Sequence, residues 1–146
     1  TDPQIAEPLK LAEQADIAVV GIGTLLPDST LVQSECIFTD AEIEWLRQLN
    51  CVGDIAMQFF DADGRKVVTP LDQRIIGLTR EQMQRIGRVI GVAGGMDKLA
   101  AIRAALRGKW LHVLVTDEEV ALALLREVEG ENPAGETQQE VSIVDE

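Results

Sequence analysis

Apolar positions along the chain fall into two kinds of pattern, and the two kinds alternate. Short, nearly continuous apolar runs of strand length separate stretches in which apolar residues recur every three or four positions, as on one face of a helix. The runs predict strands at residues 17–22, 54–60, 66–68, 75–78, 88–93 and 110–115. The helical patterns begin near residues 3, 40, 80, 96 and 117. Because a run such as 17–22 is typical of a strand buried on both faces, we predict an α/β fold with a Rossmann-like, mostly parallel sheet and flanking helices.

Local signals place several helix starts and turns. Three helices begin with a capping box, in which a threonine and the side chain three residues later bind each other's backbone amides. The boxes pair Thr39 with Glu42, Thr79 with Gln82, and Thr116 with Glu119. Residues 61–64 predict a turn that joins strands 54–60 and 66–68 into a hairpin. Residues 23–38 are interpreted as a long loop, of the kind that often carries function.

Charge is distributed unevenly along the chain. There are 25 acidic and 13 basic side chains, for a formal net charge of -12, and seven of the acidic ones lie between Glu127 and Glu146. We therefore predict a folded domain at residues 1–128 and an acidic, flexible tail at residues 129–146. The charge argues against direct binding of DNA or of an anionic membrane surface. No apolar run approaches the length needed to cross a bilayer.

Residue types that build metal and redox sites are scarce. Cys36 and Cys51 fit neither a zinc motif nor a CxxC pair, and we interpret both as small, mostly buried apolar residues. His112 is the single histidine, lies in a strand context and is assigned a structural role. Trp45 and Trp110 are interpreted as core anchors. We therefore predict no metal site and no cofactor.

One predicted strand-to-helix turn has the composition of an anion site. The strand at residues 88–93 ends at Gly94 and Gly95, and a helix begins directly afterwards. The first amides of a helix have no partner within it, and together with the helix dipole they attract anions. Glycines allow an oxyanion close to the backbone, and Lys98 adds a positive charge. The segment predicts a phosphate-binding turn without Walker A spacing; the alternative is a tight turn beside a solvated lysine.

Two further places are candidates for ligand contact. Gly23 and Thr24 follow the first strand, but Leu26 stands where a dinucleotide fingerprint requires its third glycine. A wall of a ligand site is therefore the preferred interpretation of this segment. Asp54 begins an apolar strand, where a carboxylate can accept hydrogen bonds from two sugar hydroxyls; the alternative is a turn or capping residue.

Taken in order, these pieces resemble the effector-binding region of the SorC-type bacterial transcription regulators. The segments that carry the resemblance are residues 15–24, 52–56 with 59–64, 74–78, 92–98 with 101–106, and 113–118. Together they span about residues 13–125 and match only the later part of the family's effector domain. The resemblance implies a fold similar to sugar-phosphate isomerases and glucosamine-phosphate deaminases. It also implies that Gly94, Gly95 and Lys98 contact a phosphate and that Asp54 lies near sugar hydroxyls.

The resemblance further implies a cytoplasmic protein that binds a phosphorylated sugar and does no chemistry on it. DNA would be contacted only through a helix-turn-helix domain that is absent from this chain. We expect a homo-oligomer, a dimer or tetramer, because the helix at Ile43–Leu49 is expected to leave apolar surface uncovered. Two alternatives stay open. One is a sugar-phosphate isomerase or deaminase with Asp54 as its base, and the other is an interaction domain that serves only oligomerisation.

Overall fold

A computed structural model of the chain describes residues 2–33 and 38–131. Within these residues the chain alternates between helices and short strands. In chain order the elements are α1 (Pro3–Ala12), β1 (Ile17–Gly21), β2 (Gly23–Thr24), α2 (Thr30–Gln33), α3 (Asp40–Gln48), β3 (Cys51–Ile55), β4 (Gln58–Asp61), α4 (Arg80–Met83), β5 (Arg88–Val92), α5 (Leu99–Arg107), β6 (Val113–Val115) and α6 (Glu118–Glu131). Two 3-10 helices, Pro70–Arg74 and Met96–Lys98, complete the set. None of the described helices is long and apolar enough to cross a membrane.

Strands form two sheets of three. One sheet is parallel throughout, in the order β1-β5-β6, and the other is antiparallel, in the order β2-β3-β4. Helices flank the parallel sheet, so the predicted α/β class with a parallel sheet is confirmed. The antiparallel sheet was not predicted as a sheet. The pattern of apolar residues indicated only a hairpin in this part of the chain.

The parallel sheet is covered on one face only within the described chain. Val89 lies on the covered face and is almost fully buried. On the opposite face, Ile17 is 56% exposed, Val19 is 68% exposed and Val115 is 51% exposed. The expectation that residues 17–22 form a strand buried on both faces is therefore wrong for this chain.

The antiparallel sheet is built around a tight turn that sequence signals missed. Ala56 and Met57 join β3 to β4 with positive φ angles of 51° and 62°, which suit a two-residue hairpin turn. The predicted turn at residues 61–64 exists, since the Gly64 amide donates to the Asp61 carbonyl at 2.9 Å, but it follows β4. The predicted return strand at 66–68 is reduced to a single bridge between Phe60 and Lys66.

Helix α5 packs against the antiparallel sheet and joins it to the rest of the core. A side chain at Gly53 would place its Cβ 2.7 Å from the Ala101 Cβ, so the absence of a side chain lets α5 approach β3. The Trp110 indole donates to the Gly64 carbonyl at 2.8 Å and lies 5.1 Å from the Phe60 ring centroid. In a second buried cluster, Ile43 and Leu46 of α3 pack with Cys51, Phe59 and their neighbours.

Several local predictions are confirmed and others are corrected. Thr39 and Thr79 form their predicted capping boxes. The predicted box between Thr116 and Glu119 does not form, because α6 begins at Glu118, one residue later than that box requires. Asp117 caps the helix in its place and accepts from the Val120 amide. Residues 75–78 form no strand. The predicted loop at 23–38 contains β2 and α2 within its described part, residues 23–33.

His112 and Cys51 have the structural roles that the sequence predicted for them. His112 accepts from the Val89 amide through Nδ1 at 2.9 Å and so ties the start of β6 to β5. Cys51 is a buried free thiol whose pKa is raised to about 11, first by burial and then by the charge of Asp61. Cys36 lies outside the described residues, as does most of the predicted tail, since α6 runs to Glu131.

Candidate ligand-binding site

Asp54 is held between two strands of the antiparallel sheet. It is 7% exposed, and its register partner across the sheet is Gly23. A Cβ at Gly23 would lie 2.1 Å from Asp54 Oδ1, so the carboxylate occupies the space that any other residue at position 23 would fill. Asp54 Oδ2 accepts a hydrogen bond from the Met57 amide at 3.0 Å. Because Gly23 has no side chain, it leaves room for the carboxylate of Asp54.

Burial and nearby charge act on Asp54 in opposite directions. Burial raises the pKa of the Asp54 carboxyl above its usual range, while the Met57 amide and the positive charge of Lys98 partly lower it. The net direction is upward because removal of water disfavours the charged form most. Lys98 is half-buried and lies close enough to act on Asp54 electrostatically. The predicted acidic and basic residues are thus near enough to each other to interact electrostatically.

The glycine turn after β5 has the predicted place but a different local geometry. Gly95 has φ of 96°, a conformation that side chains rarely adopt, so a glycine is required here. The helix that follows starts as the 3-10 turn Met96–Lys98, with no side-chain cap, and α5 begins only at Leu99. The Lys98 amide closes this turn by donating to the Gly95 carbonyl at 3.0 Å.

One amide of the glycine turn already has an acidic partner. The Gly95 amide donates to Asp117 Oδ2 at 2.6 Å, across from the carboxyl end of β5 to that of β6. Asp117 Oδ1 accepts from Val120 at 3.0 Å, and these backbone contacts lower the pKa of the Asp117 carboxyl. The predicted phosphate-binding turn is thus attached to the start of α6.

A cleft of about 310 Å³ opens beside these elements. It is bounded by β2, β3 and α5, and its lining includes Thr24, Arg47 and Asp97. Arg47 also donates to the Leu25 carbonyl through both Nε and Nη2, at 3.1 and 2.7 Å, which fixes the chain directly after Thr24. The volume lies at the small end of the range for small-molecule sites.

The six predicted site residues divide into three groups. Gly23 and Asp54 are in contact with Lys98 nearby, and Gly94 and Gly95 form the turn before Lys98. Of the six, Thr24 alone lines the cleft. Sequence reasoning missed Arg47 and Asp117. An aspartate directly before a helix is a capping signal by itself, so Asp117 could have been found from its position. Arg47 had no such signal, because its partner is a backbone carbonyl 22 residues away.

The fold is an α/β domain that holds Asp54 in its antiparallel sheet and has the glycine turn and Lys98 at the carboxyl edge of its parallel sheet. That edge is where open α/β sheets bind ligands. A family model described as "Putative sugar-binding domain" matches residues 1–126. The chain belongs to this family of sugar-binding domains.

Similar proteins are bacterial transcription regulators, which agrees with the resemblance seen in the sequence. The chain is 36% identical over 127 residues to the transcriptional regulator LsrR of Klebsiella pneumoniae, covering 85% of this chain and 39% of the regulator. It is 32% identical over 127 residues to the deoxyribonucleoside regulator of Bacillus subtilis, covering 87% of this chain and 40% of that protein. The chain thus spans about two-fifths of the curated relatives it matches.

Solved structures show the same relationship. A DeoR family transcriptional regulator from Listeria monocytogenes superposes with a TM-score of 0.78 at 32% identity, covering 84% of this chain and 49% of that one. The full-length sorbitol operon regulator SorC from Klebsiella pneumoniae superposes with a TM-score of 0.77 at 26% identity, covering 85% and 40%. The shared fold therefore extends over most of this chain and less than half of these structures.

Proposed function

We propose that this chain is part of the effector-binding domain of a transcription regulator and that it senses a phosphorylated sugar. The observation that carries the proposal is the meeting of Asp54, Lys98 and the Gly94–Gly95 turn at one edge of the fold. Lys98 and the amides that open the 3-10 turn supply positive charge for a phosphate group. Asp54 supplies acceptor oxygens for sugar hydroxyls.

A buried acidic residue is costly to the stability of the fold unless a polar partner compensates for its lost solvation. Asp54 is nearly inaccessible to solvent, and its pKa is raised by that burial. A polar ligand that donates hydroxyl hydrogen bonds would replace the solvation that the carboxylate lacks. Selection among sugars then depends on which hydroxyls reach Asp54 and the cleft next to Thr24.

Ligand binding would act on DNA without chemistry at the sugar. An effector shifts an equilibrium only by its differential affinity for the two states. We propose that the phosphorylated sugar favours one arrangement of the subunits in a dimer or tetramer, and that this arrangement biases a separate helix-turn-helix domain. The setting for such a regulator is the cytoplasm.

The proposal is tested by titrating the chain calorimetrically with a panel of pentose and hexose phosphates, each paired with the same sugar without its phosphate. Lys98→Ala should weaken the best phosphorylated ligand by about tenfold to a hundredfold, since charge-assisted contacts contribute roughly 1.5–3 kcal/mol. Lys10→Ala is the matched control, because Lys10 is an exposed lysine on α1, away from the glycine turn. Its affinity should equal that of the wild type.

Four outcomes separate the candidate functions. Preference for the phosphorylated sugars, lost in Lys98→Ala and without product formation, supports the sensor. Product formation in the same samples would identify an isomerase or deaminase with Asp54 as its base. Equal affinity of wild type and Lys98→Ala would remove the phosphate assignment, and no binding of any sugar phosphate would leave an interaction domain.

A further inference from the structure

We infer that Asp117 is a positioning residue, which fixes the shape of the Gly94–Gly95 turn by joining it to the start of α6. The inference rests on the proposed function, because it assigns Asp117 a part in phosphate binding that acts through the turn. Asp117 would not touch the phosphate. Its carboxylate would instead set the direction of the backbone that does.

The geometry assigns the two carboxylate oxygens of Asp117 to two different elements. Oδ1 accepts from the Val120 amide of α6 at 3.0 Å, which caps that helix. Oδ2 accepts from the Gly95 amide at 2.6 Å, which belongs to the turn after β5. One side chain therefore links the carboxyl ends of two neighbouring parallel strands.

Steric fit shows that the link is close. A Cβ at Gly94 would lie 2.7 Å from Asp117 Oδ2, so the carboxylate rests against the backbone of the turn. The short bond to Gly95 is of the charge-assisted kind, which the lowered pKa of the Asp117 carboxyl also indicates. Gly95 needs this restraint because its φ of 96° belongs to a conformation that glycine adopts but does not favour strongly over others.

Electrostatics and positioning make opposite forecasts for a change at Asp117. As a nearby negative charge, Asp117 should repel phosphate, so its removal should strengthen binding. As the anchor of the turn, it should assist phosphate, so its removal should weaken binding. The sign of the change in affinity therefore decides between the two roles.

Asp117→Ser separates the helix cap from the link to the turn. A serine in this place can still accept from the Val120 amide as a helix cap. Its side chain is shorter and has one oxygen atom in place of the two that Asp117 directs at Val120 and Gly95, so the contact with Gly95 should be lost. Glu119→Gln is the matched control, because it removes one negative charge from the same helix start and leaves the Asp117 contacts in place. Gly94→Ala acts on the same contact from the other side, since its Cβ would displace Oδ2.

The experiment is a titration of the isotope-labelled full chain with inorganic phosphate, followed by amide proton–nitrogen correlation spectra. Asp117→Ser and Gly94→Ala should move the Gly95 amide proton upfield and weaken phosphate by about twofold to thirtyfold. Glu119→Gln should leave the Gly95 signal in place and should not weaken phosphate. Thermal unfolding should show Asp117→Ser folded like the wild type.

Each result bears on a different claim. An unchanged Gly95 signal in Asp117→Ser would overturn the link itself, whatever the affinity. A shifted signal with equal or tighter phosphate binding would overturn the positioning role. If the wild-type chain shows no phosphate-dependent shifts in the turn, the phosphate assignment of the proposed function fails, and the functional half of this inference fails with it.

Discussion

The parallel sheet and the antiparallel sheet differ in how much of their surface the chain covers. In β4, the consecutive residues Phe59 and Phe60 are both buried, and since neighbouring side chains of a strand point to opposite faces, both faces of the antiparallel sheet are covered. In β1, every second residue is exposed, including Val19. Parallel sheets are ordinarily covered on both faces, whereas antiparallel sheets often have one face in water.

This reversal shows which sheet the chain covers by itself and which sheet it leaves partly exposed. The antiparallel sheet carries Asp54 and Gly23, so the acidic part of the site rests on a closed core. The parallel sheet carries the glycine turn and Asp117 at its carboxyl edge, and its open apolar face requires further cover. Among the described residues this sheet face is an uncovered apolar surface. The helix α3, where such a surface was expected, instead packs Ile43 and Leu46 inside the chain.

The largest expected effect of shortening a side chain contrasts the two sheets directly. Phe60→Ala should lower the free energy of unfolding by about 3–5 kcal/mol, since it removes a fully buried ring that packs against Trp110. Val19→Ala should change the same quantity by less than about 0.5 kcal/mol. Urea unfolding of both variants measures the difference. Similar losses for the two variants would show that β1 is covered in solution.

The next contrast uses two glycines that stand two positions apart. Gly23→Ala forces a Cβ to within 2.1 Å of Asp54 Oδ1, whereas a Cβ at Gly21 meets nothing within 4 Å. Gly23→Ala should cost about 1–3 kcal/mol in the free energy of unfolding, as overpacked sites do, and should weaken sugar-phosphate binding. Gly21→Ala should be close to neutral in both measurements. Equal behaviour of the two variants would mean that Asp54 moves freely away from β2.

The sequence predicted local features such as helix caps well, but it predicted less well how the strands pair with one another. The capping boxes at Thr39 and Thr79 depend on side chains three residues apart, so their spacing identified them, although the same spacing at Thr116 did not produce a box. The hairpin was misplaced because Ala56 and Met57 adopt positive φ angles without the glycine or asparagine that marks such turns, while residues 61–64 carry the stronger signal.

Site residues show the same division. The glycine turn and Lys98 follow from a strand end and a helix start, which are local patterns. The contact between Gly23 and Asp54 depends on strand register, and register was out of reach once the hairpin turn was assigned to the wrong residues. The exposure of one face of β1 could not be predicted either. Its apolar residues indicate that both faces favour burial, but they do not indicate whether this chain supplies the residues that would cover them.

A pH experiment sharpens the contrast at Asp54. Burial raises the pKa of Asp54 in the folded state, so its contribution to stability is fully present below the unfolded pKa of about 3.9 and is lost as pH rises through the folded pKa. Asp54→Asn cannot take a charge and keeps an oxygen for the Met57 amide. It should therefore be more stable than the wild type at pH 7 and no more stable near pH 3.5, while binding sugar phosphates less well. A gain in urea midpoint that is independent of pH would contradict the charge explanation.

The smallest expected effect on stability tests the open face of the parallel sheet. Val19 and Val89 lie on adjacent strands and opposite faces, 68% and 1% exposed. Val19→Lys should leave the urea midpoint nearly unchanged, whereas Val89→Lys should unfold the chain because it buries an unpaired charge.

If the open face holds copies of the chain together, Val19→Lys should also reduce the apparent mass measured by light scattering at high concentration. Leu11→Lys is the control, since Leu11 is a 70% exposed apolar residue outside the sheet, and its mass should match the wild type. An equal mass for wild type and Val19→Lys would exclude this face from self-association, and the cover that a parallel sheet requires would then have to come from a different polypeptide segment.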